Sequence, residues 1–217
     1  MTLTLESYSA QARRWPATGR HILAQFDAES VVVYQAYRPA IGRFAAEHGY
    51  FGGDFSFSRM SWVKPNFLWM MYRSAWGTSD GQEVVLAVRL RREAFDEILA
   101  RAVPSSFDRS RYESREAWQR DVAASSVRLQ WDPDHDPAGA PQARRAIQLG
   151  LRGETLRRYG REWLLGVTDV SGLVAEQRER RYARDWAGLE TPREDVYPVA
   201  DAAVVTALGL DPWPGPT

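Results

Sequence analysis

The fold is decided by a segment that reads Arg59-Met60-Ser61-Trp62-Val63-Lys64-Pro65-Asn66-Phe67-Leu68-Trp69-Met70-Met71-Tyr72-Arg73-Ser74-Ala75-Trp76. Before Lys64, residues Phe55–Trp62 alternate large and small side chains, which predicts a short strand. After it, Pro65 suits the first position of a helix, so we predict a helix over Pro65–Trp76 with Lys64 as its N-cap. The segment therefore predicts a strand that passes directly into a helix.

Lys64 is the one lysine among the 28 basic residues of the chain. A lysine kept where every other basic residue is arginine indicates a position that needs a compact ammonium rather than a planar guanidinium. Helix-start amides and an ammonium together form a good anion site. Arg59 and Arg73 would add bidentate contacts to phosphate or carboxylate. We therefore predict a phosphate-type site here, with a solvated lysine at a helix start as the alternative.

Outward from this segment, apolar runs of strand length mix with amphipathic runs of helix length. The predicted strands are His21–Phe26, Val31–Tyr37, Val84–Leu90, Ser126–Trp131 and Trp163–Val170. The predicted helices are Pro39–His48, Glu93–Ala102, Arg115–Ala124 and Pro141–Tyr159, and Gly172–Trp186 is predicted to be a charged helix or an extended arm. Because strands and helices do not alternate regularly, we predict an α+β fold, a single compact domain with a mainly antiparallel sheet flanked by helices. Residues 1–20 form a lead-in, 21–200 the domain, and 201–217 a C-terminal segment with an irregular Pro-rich tail.

Composition narrows the function classes. The 217 residues carry no net charge, so no global field attracts nucleic acid or an anionic membrane, although local basic patches stay open. The absence of cysteine excludes disulfides, thiol nucleophiles and Cys-based metal sites. No apolar run approaches the ~20 residues of a membrane span. We expect a cytoplasmic protein without a membrane partner.

Alternation along Val31–Tyr37 puts Tyr34 on one strand face and Gln35 and Tyr37 on the other. A glutamine in an apolar strand needs hydrogen-bond partners, so Gln35 would bind either the polar edge of a ligand, such as a base or an amide, or other groups of the sheet. Arg38 follows the strand and would join an anion site. Trp62, Trp69 and Trp76, spaced by seven, share one helical face; core packing is the alternative to ligand stacking.

The predicted helix Pro141–Tyr159 carries Arg144, Gln148 and Arg152 at spacings of four, which would form a polar, cationic stripe or a solvated face. Gly150 inside a helix costs about 1 kcal/mol relative to alanine, which indicates close packing or a close ligand.

The run from Asp132 to Asp136 includes His135, the best placed of three histidines for acid–base chemistry. Its spacing matches no metal-binding loop and its prolines indicate a turn, so we expect no metal. The chain also lacks a phosphate-binding P-loop, a dinucleotide fingerprint and a Gly-x-Ser-x-Gly elbow.

Three segments, Val33–Tyr37, Arg59–Trp76 and Arg144–Gly153, resemble the signature segments of the domain-of-unknown-function 4291 family. The similarity spans roughly residues 12–200. A more remote resemblance is to the ADP-ribosyltransferase-like fold. That resemblance implies a small α+β domain that binds NAD in a cleft and uses a stacking aromatic residue and often a catalytic glutamate.

These resemblances imply an enzyme that binds a nucleotide-like small molecule, NAD as cofactor, and transfers ADP-ribose to a nucleic-acid (RNA or DNA) or protein acceptor. Catalytic roles would fall to Glu83, His135 and Lys64. Cofactor and substrate contacts would come from Tyr34, Gln35, Tyr37, Arg38, Arg59, Trp62, Tyr72, Arg73, Trp76, Arg144, Gln148 and Arg152. The alternatives are a non-catalytic module that binds nucleotides or single-stranded nucleic acid, and a partner-binding protein whose tryptophans are all core.

Overall fold

A computed structural model describes residues 2–214. Its strands are β1 Leu5–Ser7, β2 Gly19–Arg20, β3 Leu23–Ala24, β4 Ser30–Tyr37, β5 Ser61–Val63, β6 Val84–Arg91, β7 Ala102–Pro104, β8 Val127–His135, β9 Pro141–Leu151, β10 Leu164–Asp169, β11 Glu190–Pro192 and β12 Asp195–Val196. Its helices are α1 Tyr8–Ala12, α2 Pro39–His48, α3 Phe67–Arg73, α4 Arg92–Ala100, α5 Arg115–Ala124, α6 Gly153–Arg161, α7 Ser171–Tyr182 and α8 Ala202–Leu208. The predicted α+β class is confirmed.

The central sheet is antiparallel in the order β10-β6-β4, and its middle is buried on both faces. In β4, Val31 and Val33 face one hydrophobic cluster, whereas Val32 and Tyr34 face a second. Helices α2, α4 and α6 contribute to the first cluster, and α3 and α7 to the second. Continuous β-branched runs suit strands that are covered on both sides.

A second sheet is built on the long β8–β9 hairpin, whose strands pair antiparallel from Val127 opposite Leu151 outward. The short strands β2 and β7 extend this sheet by parallel pairing with β9 and β8, and β5 pairs antiparallel with β9. The sheet is therefore mainly antiparallel, as predicted.

The two sheets meet at Lys64. Val63, at the end of β5, pairs with Leu149 of β9, and the next residue forms a backbone bridge to the central sheet. The Tyr34 amide donates to the Lys64 carbonyl at 2.7 Å, and the Lys64 amide donates to the Tyr34 carbonyl at 3.1 Å. Two backbone hydrogen bonds thus fix the lysine backbone where the sheets converge.

One predicted helix is wrong. Residues Pro141–Leu151 form strand β9, and only the following Gly153–Arg161 is helical. The run that contains Arg144, Gln148 and Arg152 satisfies a period of two as well as a period of four. In the strand, Ile147, Leu149 and Leu151 all face the core. This apolar face has the period of two that a strand requires.

Other elements differ in their ends. Helix α3 begins at Phe67 and ends at Arg73, shorter than the predicted Pro65–Trp76. Strand β8 continues through the predicted turn as far as His135. The C-terminal segment holds helix α8, which was not predicted, and the last three residues of the Pro-rich tail lie outside the described residues.

Candidate functional site

An open cleft of about 430 Å³ lies where β4, β5, α3 and the β8–β9 hairpin converge. We call it the Lys64 cleft. Its lining consists of Gln35, Ala36, Tyr37, Met60, Ser61, Trp62, Lys64, Met70, Arg73, Gln82, Gln130 and Gln148. Six residues proposed from the sequence, namely Gln35, Tyr37, Trp62, Lys64, Arg73 and Gln148, are brought together here.

The Lys64 side chain is only 5% exposed although it lines an open cleft. No hydrogen bond or ion pair to its ammonium occurs within residues 2–214. Burial, and to a smaller extent the nearby Arg73, lower the pKa of Lys64 to about 8, although Asp132 opposes the shift. A desolvated amine without an internal partner is suited to contact an anion or to react.

A carboxylate lies close to this amine and binds two glutamines of the cleft lining. Asp132 accepts hydrogen bonds from the Gln130 amide at 2.9 Å and from the Gln148 amide at 2.7 Å. Gln130 and Gln148 are direct cross-strand partners on β8 and β9. Because both amides donate to Asp132, their carbonyl oxygens, which accept no hydrogen bond within the described range, stay available for ligand hydroxyl or amino groups.

Gln35 is held by an internal network. Its amide donates to the hydroxyls of Tyr37 and Ser61, each at 2.8 Å, and its carbonyl oxygen accepts from Tyr159 at 2.6 Å. Tyr37 and Ser61 also share a hydrogen bond at 2.5 Å. Burial raises the pKa of Tyr37 and Tyr159, so both hydroxyls stay neutral. The network supports one wall of the cleft.

Trp62 forms another wall and lies against the backbone of β9. A Cβ added at Gly150 would meet Met60 Sδ at 2.6 Å and two ring atoms of Trp62 at 3.0 Å. Gly150 therefore allows close packing, as its position in the sequence indicated, but in a strand rather than a helix.

The backbone amides at the start of helix α3 are bound by side chains of the protein itself. The Glu194 carboxylate accepts from the Phe67 amide at 2.6 Å and from the Asn66 side chain at 3.1 Å, and Asn66 accepts from the Trp69 amide at 2.6 Å. Burial raises the pKa of Glu194 well above its ordinary value. The N-cap is therefore Asn66, not Lys64, and the predicted anion site at the helix amides is wrong. Lys64 instead lines the cleft.

Three aromatic residues proposed for stacking lie outside the cleft lining. Tyr34 and Trp76 are buried in the second hydrophobic cluster. Tyr72 is exposed and stacks on His135, with ring centroids 3.5 Å apart. Burial lowers the pKa of His135, and its buried Nδ1 makes no hydrogen bond in the structure. His135 and Tyr72 thus form a separate aromatic stack.

Two arginines of the predicted stripe form hydrogen bonds and ion pairs inside the protein. Arg144 forms a buried ion pair with Asp134 at 2.5 Å and donates to the Pro16 carbonyl. Arg152 donates to the Ser125 carbonyl at 2.9 Å and to carbonyls at the end of α5, which it caps.

Three further candidates are exposed and outside the lining. Arg38 pairs with Asp54 at 2.8 Å, and Glu83 accepts from the Gly81 amide at 2.8 Å in the turn before β6. Arg59 precedes β5 at the surface.

The sequence reasoning missed Gln82, Gln130 and Asp132 as members of one site. The alternation of Gln130 and Asp132 with Leu129 and Trp131 would have indicated a polar strand face. Asp132 was instead assigned to a turn. No group of three or more possible metal ligands is clustered among residues 2–214. Over the same range, no helix has the length and apolar character needed to cross a membrane.

A family model described as domain of unknown function (DUF4291) matches residues 21–197. The chain belongs to this DUF4291 family. A comparison with curated proteins finds no match. The family match includes every residue of the Lys64 cleft, together with Asp132 and Glu194.

Proposed function

We propose that this DUF4291 protein binds a nucleotide-type, phosphate-bearing small molecule in the Lys64 cleft and acts on it as a transferase. The observation that carries the proposal is the Lys64 ammonium, which is buried, has no internal partner in the described structure and lies beside the exposed Arg73. A bound phosphate would relieve the repulsion between these two cations and supply the missing hydrogen bonds.

The remaining lining fits the rest of such a ligand. Gln82, Gln130 and Gln148 offer amide groups for the polar edges of a base or an amide, and Trp62 offers an aromatic surface. A volume of about 430 Å³ is within the range of small-molecule sites.

The finer form of the proposal is ADP-ribosyl transfer from NAD to a nucleic-acid or protein acceptor. Lys64 and Arg73 would neutralise the pyrophosphate of NAD, and the carboxylate of Asp132 would stabilise positive charge that develops on the ribose as nicotinamide leaves. Asp132 takes the place of Glu83 in this role because it lies near Lys64, whereas Glu83 lies outside the cleft.

The test has two readouts. NAD, ATP, AMP and inorganic phosphate are added separately, and the thermal midpoint and nicotinamide release are measured. We expect NAD to raise the midpoint of the wild type and of Glu83→Gln, but not of Lys64→Ala. Nicotinamide release should disappear in Lys64→Ala and Asp132→Asn and persist in Glu83→Gln.

The absence of a midpoint shift with every phosphate compound would overturn the binding proposal. A shift without turnover of any compound would leave the alternative, a non-catalytic nucleotide-binding module. Arg43→Ala removes an exposed arginine from α2, away from the cleft lining, and serves as the matched charge control.

A further inference from the structure

A second groove, of about 450 Å³, lies between the β8–β9 hairpin and the loop that follows β7. Four arginines line it, Arg20, Arg109, Arg111 and Arg145, and we call it the arginine groove. None of them belongs to the Lys64 cleft. Arg145 lies on the strand face opposite to Gln148, because side chains alternate along β9.

The arginine groove is strongly positive in a protein with no net charge. Its charged lining comprises the four arginines and Asp108, which leaves a local charge of plus three. Asp108 pairs with Arg111 at 3.6 Å. Within residues 2–214, the guanidinium groups of Arg20 and Arg109 make no hydrogen bond or ion pair, and that of Arg145 reaches only the Trp131 carbonyl at 3.5 Å. Most of this charge is therefore available to an external anion.

Aromatic rings lie among these charges. Trp131 and Phe107 line the groove, and Phe107 and Arg109 are shared with a neighbouring cavity of about 390 Å³. That cavity adds Arg115, whose guanidinium lies 5.0 Å from the Phe107 ring centroid. In the other direction, Gln130 lines both the arginine groove and the Lys64 cleft. The arginine groove and its neighbouring cavity thus place cations beside aromatic rings.

We propose that the arginine groove binds the phosphate backbone of a single-stranded nucleic acid. Repeated phosphates would pair with the available guanidinium groups, and unpaired bases would stack on the partly exposed rings of Trp131 and Phe107. A single strand is favoured over an acidic peptide because carboxylate side chains would use the arginines but not the interleaved rings. The charge is local, so a protein with zero net charge can still bind a polyanion.

This proposal does not depend on the function of the Lys64 cleft. If both hold, a strand in the groove would pass Gln130 and lie next to the cleft, in the position of an acceptor. RNA binding is measured without NAD and the NAD-induced thermal shift without RNA, so the two proposals fail separately.

The test is fluorescence anisotropy with a fluorescein-labelled single-stranded RNA of about a dozen nucleotides, a length that spans a typical single-strand site. Affinity should fall with salt, with a slope of about −0.7 for each neutralised phosphate. The double variant Arg109→Gln/Arg145→Gln should bind about tenfold more weakly at low salt and should lose roughly 1.4 from the slope. Both residues are exposed, so the fold should be retained, which circular dichroism checks.

Arg43→Gln is the matched control and should leave the affinity unchanged. Unaltered binding by the double variant would overturn the proposal, as would the absence of salt-dependent binding in the wild type. Competition by polyglutamate as effective as that by unlabelled RNA would show a general polyanion surface and would also overturn it.

Discussion

The lowered pKa of Lys64 predicts that its charge destabilises the folded protein at neutral pH. Burial holds the pKa of Lys64 at about 8 in the folded state, against 10.5 for the unfolded chain. Between these two values the unfolded chain binds more protons, so stability rises with pH across this window. Below pH 8 the full penalty is present, and its size is roughly 3 kcal/mol. A residue that weakens the fold at the junction of two sheets fits a functional role.

Replacing Lys64 by methionine should therefore stabilise the protein. We expect Lys64→Met to raise the free energy of unfolding at pH 7 by roughly 1–3 kcal/mol, because the thioether fills the site without a charge. The gain should shrink as the pH approaches 10.5. Urea unfolding at pH 7 and at alkaline pH measures both effects, with Arg43→Met as the control. A loss of stability in Lys64→Met at pH 7 would contradict the burial argument.

A single lysine also makes the titration of this amine directly observable. The rate at which acetic anhydride acetylates Lys64 should rise with pH and reach half its maximum at about pH 8. Peptide mapping by mass spectrometry separates this product from acetylation of the terminal amine, which titrates in a similar range. A midpoint near 10.5 would mean that the ammonium is solvated. Protection by a bound nucleotide would link the amine to the ligand site.

At the scale of elements, the β8–β9 hairpin contains a buried ion pair between Asp134 and Arg144. Asp134 and Arg144 are both almost fully buried. Burial raises the pKa of Asp134, and the adjacent Arg144 counteracts part of that rise. Arg144 thus supports the hairpin rather than the Lys64 cleft.

Asp134→Ala should cost about 3–5 kcal/mol, because it leaves the Arg144 guanidinium buried without its carboxylate. Glu154→Ala removes one partner of an exposed ion pair with Arg157 and should change stability by less than about 0.5 kcal/mol. Chemical denaturation of the two variants gives the comparison. Equal, small losses in both would show that the Asp134–Arg144 pair does not stabilise the hairpin.

Local sequence patterns predicted the elements whose limits are set by neighbouring residues. Helix α2 begins and ends as predicted, because Pro39 suits its first turn and Gly49 its left-handed end. Strands β4 and β6 follow from their β-branched runs. Helix α3 was predicted too long and with the wrong cap, although its N-cap Asn66 accepts a hydrogen bond from the Trp69 amide, only three residues further on. The second partner of this helix start, Glu194, is 128 residues distant from Asn66 in sequence. Such a contact leaves no local signal.

The site was predictable only in part, for the same reason. Strand alternation correctly separated Gln35 and Tyr37 from Tyr34, and Lys64 was marked by composition. The choice between ligand and core could not be made for Arg144, Arg152 or Trp76, since each depends on residues from other elements. Asp132 escaped notice because the end of strand β8 was interpreted as a turn, and Gln130, although inside the predicted strand Ser126–Trp131, was not recognised as part of a polar strand face.

At the scale of the whole molecule, the central sheet joins two hydrophobic clusters into one body. Val33 and Leu86 belong to the first cluster, and Val32 and Val85 to the second. Neither cluster can be lost without exposing one face of β4 and β6. The Lys64 bridge to β4 then links this body to the second sheet, so the walls of the cleft should be lost together with the core.

This arrangement predicts a single cooperative unfolding transition. The side chains of Val32 and Val33 point to opposite faces of β4. Val32→Ala and Val33→Ala should each lower the urea midpoint of the same transition, with a loss of about 1–3 kcal/mol in the free energy of unfolding. Tryptophan fluorescence and far-ultraviolet circular dichroism should give coincident curves for the wild type and both variants. Curves that separate in only one variant would mean that the two clusters unfold independently.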